Sequence, residues 1–153
     1  WKKQWPRSAM QVQVSRIDKE LPLPRYETAG AVAFDLVARE TITIAPHSFA
    51  LLPMNVIVKI PEGYALLLSS RSSAARKKGL ILPLGIIDQD YCGPEDELKL
   101  QVVNFTAAPT TVERGERVGQ AIFVAIGRAE WDEVDRMDGK SRGGFGTTGG
   151  YAG

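Results

Sequence analysis

The 153-residue sequence contains one cysteine, Cys92, and one histidine, His47. A lone thiol excludes an internal disulfide framework and a cysteine-based zinc site, and it is compatible with a reducing, cytoplasmic setting. His47 follows Pro46 with no histidine or cysteine partner at ligand spacing, so it reads as a solvent-facing or capping turn residue and histidine ligation of a metal is rejected. No run approaches the roughly 20 consecutive apolar residues that span a bilayer, and no apolar signal core follows the first basic residues. A soluble protein with no membrane partner is expected. Charge of one sign is also missing: 19 basic side chains face 18 acidic ones, a formal net charge of +1. That balance argues against direct nucleic-acid binding or adhesion to anionic lipid, so any anion site has to be local.

What is present is ordinary for one globular domain. The apolar fraction is 44% and the charged fraction 24%, which argues against a disordered or collagen-like chain. The length fits a single core. Regular alternation begins at Met10, so residues 1–9 are set apart as an extension, natural or added. Strands are predicted at Gln11–Val14, Thr41–Ile44, Leu98–Val102 and Ala121–Val124, while Val56–Val58 and Ala65–Leu68 read as strands buried on both faces. Proline and glycine punctuate them at turn-like intervals, as in an all-β sandwich or barrel. Ser72 to Gly79 breaks the pattern with serines at a possible N-cap, basic residues in the last turn and glycine at the stop, which predicts one short helix. Seven of the 15 glycines lie between Gly139 and Gly153, where no apolar period survives, so a flexible tail is expected there. The division is thus 1–9, a domain over 10–138 and a tail over 139–153.

Three segments can carry chemistry. At the helix start, Arg71 brings a fixed charge, Ser72 and Ser73 bring hydroxyls, and the first N–H groups lack intrahelical partners; a phosphate cradle and a plain serine cap both fit. From Gly85 to Gly93, two carboxylates and an aromatic ring follow an apolar run. If that segment is extended, Asp88 and Asp90 share a face and one can orient water; if it is a tight hairpin, they satisfy turn backbone. The tail places Arg142 and Phe145 among glycine-flanked hydroxyls, which suits either a flap over a phosphate and a flat base or a disordered terminus. The acidic run Glu95-Asp96-Glu97 reads as a solvated loop, and Cys92 as an inert small residue.

In order and type these segments resemble the five motifs of the homotrimeric deoxyuridine triphosphatase family. Gly30-Ala31-Val32-Ala33-Phe34-Asp35-Leu36 resembles the first, Ser70-Arg71-Ser72-Ser73-Ala74-Ala75 the second and Gly85 to Gly93 the third. Arg114-Gly115-Glu116-Arg117-Val118-Gly119-Gln120 resembles the fourth, and Arg142 to Gly149 the fifth. The sequence departs from the pattern at Ala33-Phe34, where many members have Gly-Tyr, at Leu82-Pro83-Leu84, where some carry an asparagine, and at Pro94-Glu95-Asp96, an insertion before Glu97.

The resemblance implies a β-clip or jelly-roll-like barrel, assembled as a homotrimer with shared active sites, that hydrolyses dUTP to dUMP and pyrophosphate with Mg²⁺. Such an activity limits uracil incorporation into DNA and supplies dUMP for thymidylate synthesis. By motif, Asp88 deprotonates the water that attacks the α-phosphorus, Gln120 helps to hold that water, and Asp35 holds water in the Mg²⁺ shell. Arg71, Ser72 and Ser73 meet the phosphate chain; Arg142, Gly146, Thr147 and Thr148 meet its distal end. Tyr91 packs beneath the deoxyribose and excludes a 2′-OH. Uracil is read by backbone of the hairpin between Gly79 and Asp88, including Gly85 and Ile87, and Phe145 stacks on it. A dCTP deaminase of the same fold is the nearest rival, but it needs a buried glutamate on the strand after the hairpin, and only Glu97 lies near. A nucleotide-binding trimer that has lost catalysis is the second rival.

Overall fold

The computed structural model describes residues 10–143. Short runs of β-branched and aliphatic residues, many of them ended by proline, glycine or asparagine, give eleven strands and one helix among the described residues. In chain order they are β1 (Gln13–Arg16), β2 (Phe34–Val37), β3 (Ile42–Ile44), β4 (Phe49–Pro53), β5 (Val56–Lys59) and β6 (Tyr64–Ser70). Then come α1 (Ser72–Lys78), β7 (Leu80–Ile81), β8 (Gly85–Ile87), β9 (Lys99–Asn104), β10 (Thr110–Val112) and β11 (Arg117–Ala125). The strands pair antiparallel in four sheets, β2-β11-β6-β8, β4-β9-β7, β1-β5 and β10-β3. This is the jelly-roll-like, all-β architecture expected, with the single short helix where the sequence places it.

The core lies between the two larger sheets. Leu36, Leu66, Leu68 and Ala121 of the first meet Leu52, Leu80, Leu100 and Val102 of the second in one cluster. Alternation sets this arrangement: in β9 the pattern runs exposed, buried, exposed, buried from Lys99 to Val102, so one face of the strand packs and the other does not. Strand limits differ from expectation at β1, which starts two residues later, and at β11, which runs four residues earlier into the fourth motif. In β6 only Leu66 and Leu68 are buried, with partly exposed residues between them, so that strand has one covered face rather than two.

Gly119 shows how tightly β11 sits. The register between β11 and β2 shifts between Arg117 and Gly119, and a Cβ at Gly119 would collide with the Leu100 side chain. Leu100 is itself fully enclosed and has nowhere to retreat. Gly119→Ala is therefore expected to destabilise the fold by about 1–3 kcal/mol through overpacking, seen as a lower urea midpoint with little change in slope.

The helix ends as its sequence implies. Gly79 adopts the left-handed conformation (φ 63°, ψ 28°), and its N–H donates to the carbonyls of Ala74 and Ala75. The start differs: the N-cap is Arg71, with no side-chain capping bond, and Ser72 and Ser73 are the first two helical residues. The serine hydroxyls are thus not spent on capping.

Candidate active site

Antiparallel pairing places polar residues of the first and fourth motifs, and of the strand that leads into the second, in one row. In the four-stranded sheet Asp35 of β2 lies opposite Gln120 of β11, and Gln120 lies opposite Ser69 of β6. Residues directly opposite share a face, so the row spans about 10 Å across three strands. The Gln120 amide donates to Ser69 Oγ at 3.2 Å and to the Ser70 carbonyl at 3.2 Å, which fixes its orientation.

Asp35 is only 9% exposed, and two arginines compensate its charge. Its Oδ1 lies 3.1 Å from Arg71 Nε and its Oδ2 lies 3.3 Å from Arg117 Nη1. Arg117 also meets Glu27 at 2.8 Å, and Glu27 meets Arg25 at 3.0 Å. The hydrogen bond to Glu27 raises the Arg117 guanidinium above its ordinary value, and the same bond, helped by Arg25, lowers the Glu27 carboxyl. Arg71 is further tied to the fourth motif: its backbone N–H donates to Val118 O at 3.4 Å, and its Nη1 to Arg117 O at 3.4 Å. Neither Glu27 nor Arg117 is singled out as a site residue by the sequence. The only local signal was the position of Arg117 inside the fourth motif.

The third motif forms a separate group. β8 is an edge strand of the same sheet, and immediately after it the chain turns: the Tyr91 N–H donates to Asp88 O at 3.3 Å and the Cys92 N–H to Asp90 O at 3.0 Å. The extended segment that would put Asp88 and Asp90 on one face does not exist, because the turn begins at Asp88. The turn is anchored by Gln89, whose amide donates to Pro61 O (3.2 Å) and Tyr64 O (3.0 Å). Among the described residues no side-chain hydrogen bond or ion pair engages Asp88 or Asp90, and both are exposed. The expected hairpin from Gly79 to Asp88 is also corrected. β7 pairs with β9 and β8 with β6, so residues 82–84 cross between two sheets. As an edge strand, Gly85–Ile87 still presents backbone N–H and C=O groups on its open side.

The insertion is ordered, and the acidic run is not a solvated loop. The Gly93 N–H donates to Asp96 Oδ2 at 2.6 Å while the Asp96 N–H donates back to Gly93 O at 3.1 Å. Glu97 is 7% exposed and forked onto Arg39, with Nε to Oε1 at 2.8 Å and Nη2 to Oε2 at 3.0 Å. That fork holds the Arg39 guanidinium above its ordinary value. Only Glu95 of the three faces solvent freely.

The two groups are not neighbours within the chain. Extending the β6–β8 register by one residue sets Asp88 level with Ala65, four residues along β6 from Ser69. With strand rise of about 3.4 Å and spacing of about 4.8 Å, Asp88 and Gln120 are about 16 Å apart. Arg142 is exposed at the end of the described residues, and Phe145, Gly146, Thr147 and Thr148 lie outside them. His47 is exposed in the β3–β4 turn with φ 51°, and Cys92 is a free, partly exposed thiol. An apolar cleft of about 680 Å³ among the described residues holds none of these groups; it is lined by side chains such as Val12, Val14, Val32 and Ile122.

No cluster of three or more histidine, cysteine, aspartate or glutamate side chains occurs among the described residues. That donor set does not fit a metal caged by protein alone. Mg²⁺ keeps several waters and uses one or two carboxylates plus substrate phosphates, so it needs no such cluster; the carboxylate of the row, Asp35, has both oxygens on arginines and fits that ion through water rather than directly.

The family model for dUTPase matches residues 19–149, from before β2 through the fifth motif. The chain belongs to the dUTPase family. Among curated dUTPases, the deoxyuridine 5′-triphosphate nucleotidohydrolase of Thermobifida fusca is 36% identical over 94% of this chain and 81% of its own length. That of Dictyoglomus turgidum is 34% identical over 92% and 99%, respectively. Among solved structures, a glycine-to-serine mutant of a Staphylococcus bacteriophage 80alpha dUTPase with dUpNHpp superposes with a TM-score of 0.83 at 25% identity, covering 92% of this chain and 99% of the phage protein. An aspartate-to-asparagine mutant dUTPase from phage phi11 of S. aureus has the same fold, is 24% identical with a TM-score of 0.76 over 83% of this chain and 98% of the phage protein, and coordinates a structural Mg(II) ion.

Proposed function

We infer that this protein is a dUTP diphosphatase, hydrolysing dUTP to dUMP and pyrophosphate and so limiting uracil in DNA while supplying dUMP. The observation that carries the reading is the dUTPase family match over residues 19–149, which spans all five motifs. The chemistry is an in-line attack of water on the α-phosphorus: the new P–O bond forms, the bond to the bridging oxygen breaks, and pyrophosphate leaves. Asp88, exposed and unengaged by any side chain among the described residues, takes the proton, and the oriented Gln120 amide holds the water. Arg71, Ser72 and Ser73 hold the phosphate chain, with Arg71 exchanging Asp35 for a phosphate oxygen. Asp35 would hold Mg²⁺ through water, and the ion when bound would supply charge neutralisation of the phosphates. Segment 139–153 is a lid that brings Arg142, Gly146, Thr147 and Thr148 to the distal phosphate and Phe145 onto the base. Pyrophosphate release measured across the deoxynucleoside triphosphates tests the assignment. Release confined to dUTP supports it; ammonia from dCTP would revive the deaminase, and tight dUTP retention without turnover the inactive binder.

The proposed assembly is a homotrimer in which the third motif of one copy faces the second and fourth motifs of another. Two observations support it. The separation of Asp88 from Gln120 leaves neither group with its counterpart inside one chain. After β11 the chain also presents Trp131 at 93% exposure, and Ile126, Val134 and Met137 of the same segment are exposed as well. Light scattering should give three times 16.7 kDa. A fully active monomer would end this reading. No helix of the described residues is long and apolar enough to cross a membrane; a cytoplasmic setting belongs to the same proposal and is supported by the single free thiol.

Sugar selection is assigned to the Tyr91 ring as a wall beneath C2′. Tyr91→Ala is expected to raise the ratio of UTP to dUTP hydrolysis at least about tenfold while total activity falls, since removing a steric block costs no partner its hydrogen bond. Competition assays with the two triphosphates read that ratio directly.

A further inference from the structure

Two acidic side chains are buried among the described residues, Asp35 and Glu97, and only Asp35 has a place in the chemistry above. Every oxygen of Glu97 is engaged. Oε1 accepts Arg39 Nε–H and the Asn55 backbone N–H, both at 2.8 Å, and Oε2 accepts Arg39 Nη2–H at 3.0 Å. Its backbone carbonyl accepts the Tyr91 hydroxyl at 3.0 Å. The partners are themselves fixed. The Arg39 N–H donates to Pro53 O at 2.8 Å, and Asn55, in the left-handed region at φ 68°, exchanges side-chain hydrogen bonds with Asp18 at 2.6 and 3.0 Å. The chain between Tyr91 and Glu97 is closed by the reciprocal Gly93–Asp96 bonds, so little slack remains between ring and anchor.

The Arg39 side chain is 26% exposed and that of Glu97 9%, and a pair so far withdrawn from water gains little stability over apolar residues of the same volume, so its forked geometry rather than its energy is what it offers its neighbours. We propose that Arg39 and Glu97 are positioning residues for sugar discrimination, holding the Glu97 carbonyl that fixes the Tyr91 hydroxyl and hence the plane of its ring. This rests on the reading of Tyr91 as the wall beneath C2′. The physical requirement is strict, because a steric wall discriminates only while it cannot tilt, and a ring packed on one side against the core needs a second point to stop it turning. The hydroxyl supplies that point, and the Arg39 fork keeps it in place from 58 residues away.

The test compares kcat/KM for dUTP and UTP in Tyr91→Phe, Arg39→Met, Arg39→Lys and the double variant Tyr91→Phe/Arg39→Met, with Tyr91→Ala as reference and melting temperature as the measure of folding. Tyr91→Phe removes only the anchor and should raise the UTP to dUTP ratio about fivefold. Arg39→Met should raise it similarly, Arg39→Lys less, and the double variant no further than Tyr91→Phe alone, since both act through one bond. If Arg39→Met does not fold, Arg39→Lys, which keeps the charge and loses the fork, carries the comparison. An unmoved ratio in Tyr91→Phe and in every folded Arg39 variant overturns the proposal, including where those variants only melt earlier. Should Tyr91→Ala also leave the ratio unmoved, the wall itself is wrong and the positioning role falls with it; a response in Tyr91→Ala alone overturns the positioning role and spares the wall.

Discussion

Asp88→Asn should slow the chemical step by at least about 10²-fold while leaving dUTP affinity nearly unchanged. The substitution keeps the size of the side chain and removes its ability to accept a proton. Little else should change, because among the described residues no side chain bonds to the Asp88 carboxylate, and the turn that carries it is held by Gln89 through Pro61 and Tyr64. Fold and melting temperature are therefore expected to stay at the parent values, which separates lost chemistry from lost structure. Single-turnover rates beside binding of a non-hydrolysable dUTP analogue make the comparison. Substantial turnover would transfer the role to Asp90, two residues on in the same turn.

Mixing two inactive variants should restore activity. If the Asp88 of one copy works with the Gln120 of another, chains carrying Asp88→Asn and chains carrying Gln120→Ala, unfolded and refolded together in equal amounts, can form sites in which both groups are intact. Random assembly makes about a quarter of the sites intact, so recovery near that fraction of parent activity is expected from two preparations that are each almost inert. Recovery requires the two groups to come from different chains. A mixture no more active than its components would place both groups in one copy's site and contradict the separation of about 16 Å between them that strand geometry imposes.

The sequence made the site's parts legible and left their arrangement obscure. The short helix was readable because its signals are local: Gly79 in the left-handed region, and three basic residues in the last turn. Its cap was misplaced by one residue, since serine suits the first helical turn as well as the cap. At Asp88 the sequence leaves an extended strand and a tight turn equally open; the turn is what forms, and what holds it is Gln89 reaching carbonyls more than twenty residues away. The assignment of β7 and β8 to different sheets likewise depends on partners in β9 and β6 that no local pattern names. Glu97 is the clearest case. Within an acidic run it looks solvated, and only the approach of Arg39 and Asn55 makes its burial tolerable.

β8 also bears on how the protein avoids sticking to itself. An open strand edge is a template for uncontrolled pairing, and this one carries Ile86 at 65% exposure with Leu84 at 62% just before it. The hazard is contained by brevity. Pro83 lies two residues upstream, the chain turns away at Asp88, and the edge is three residues long. A stray peptide could add only a few backbone bonds there before running out of strand, too few to hold against its own conformational entropy, so the open edge can stay available without seeding aggregates.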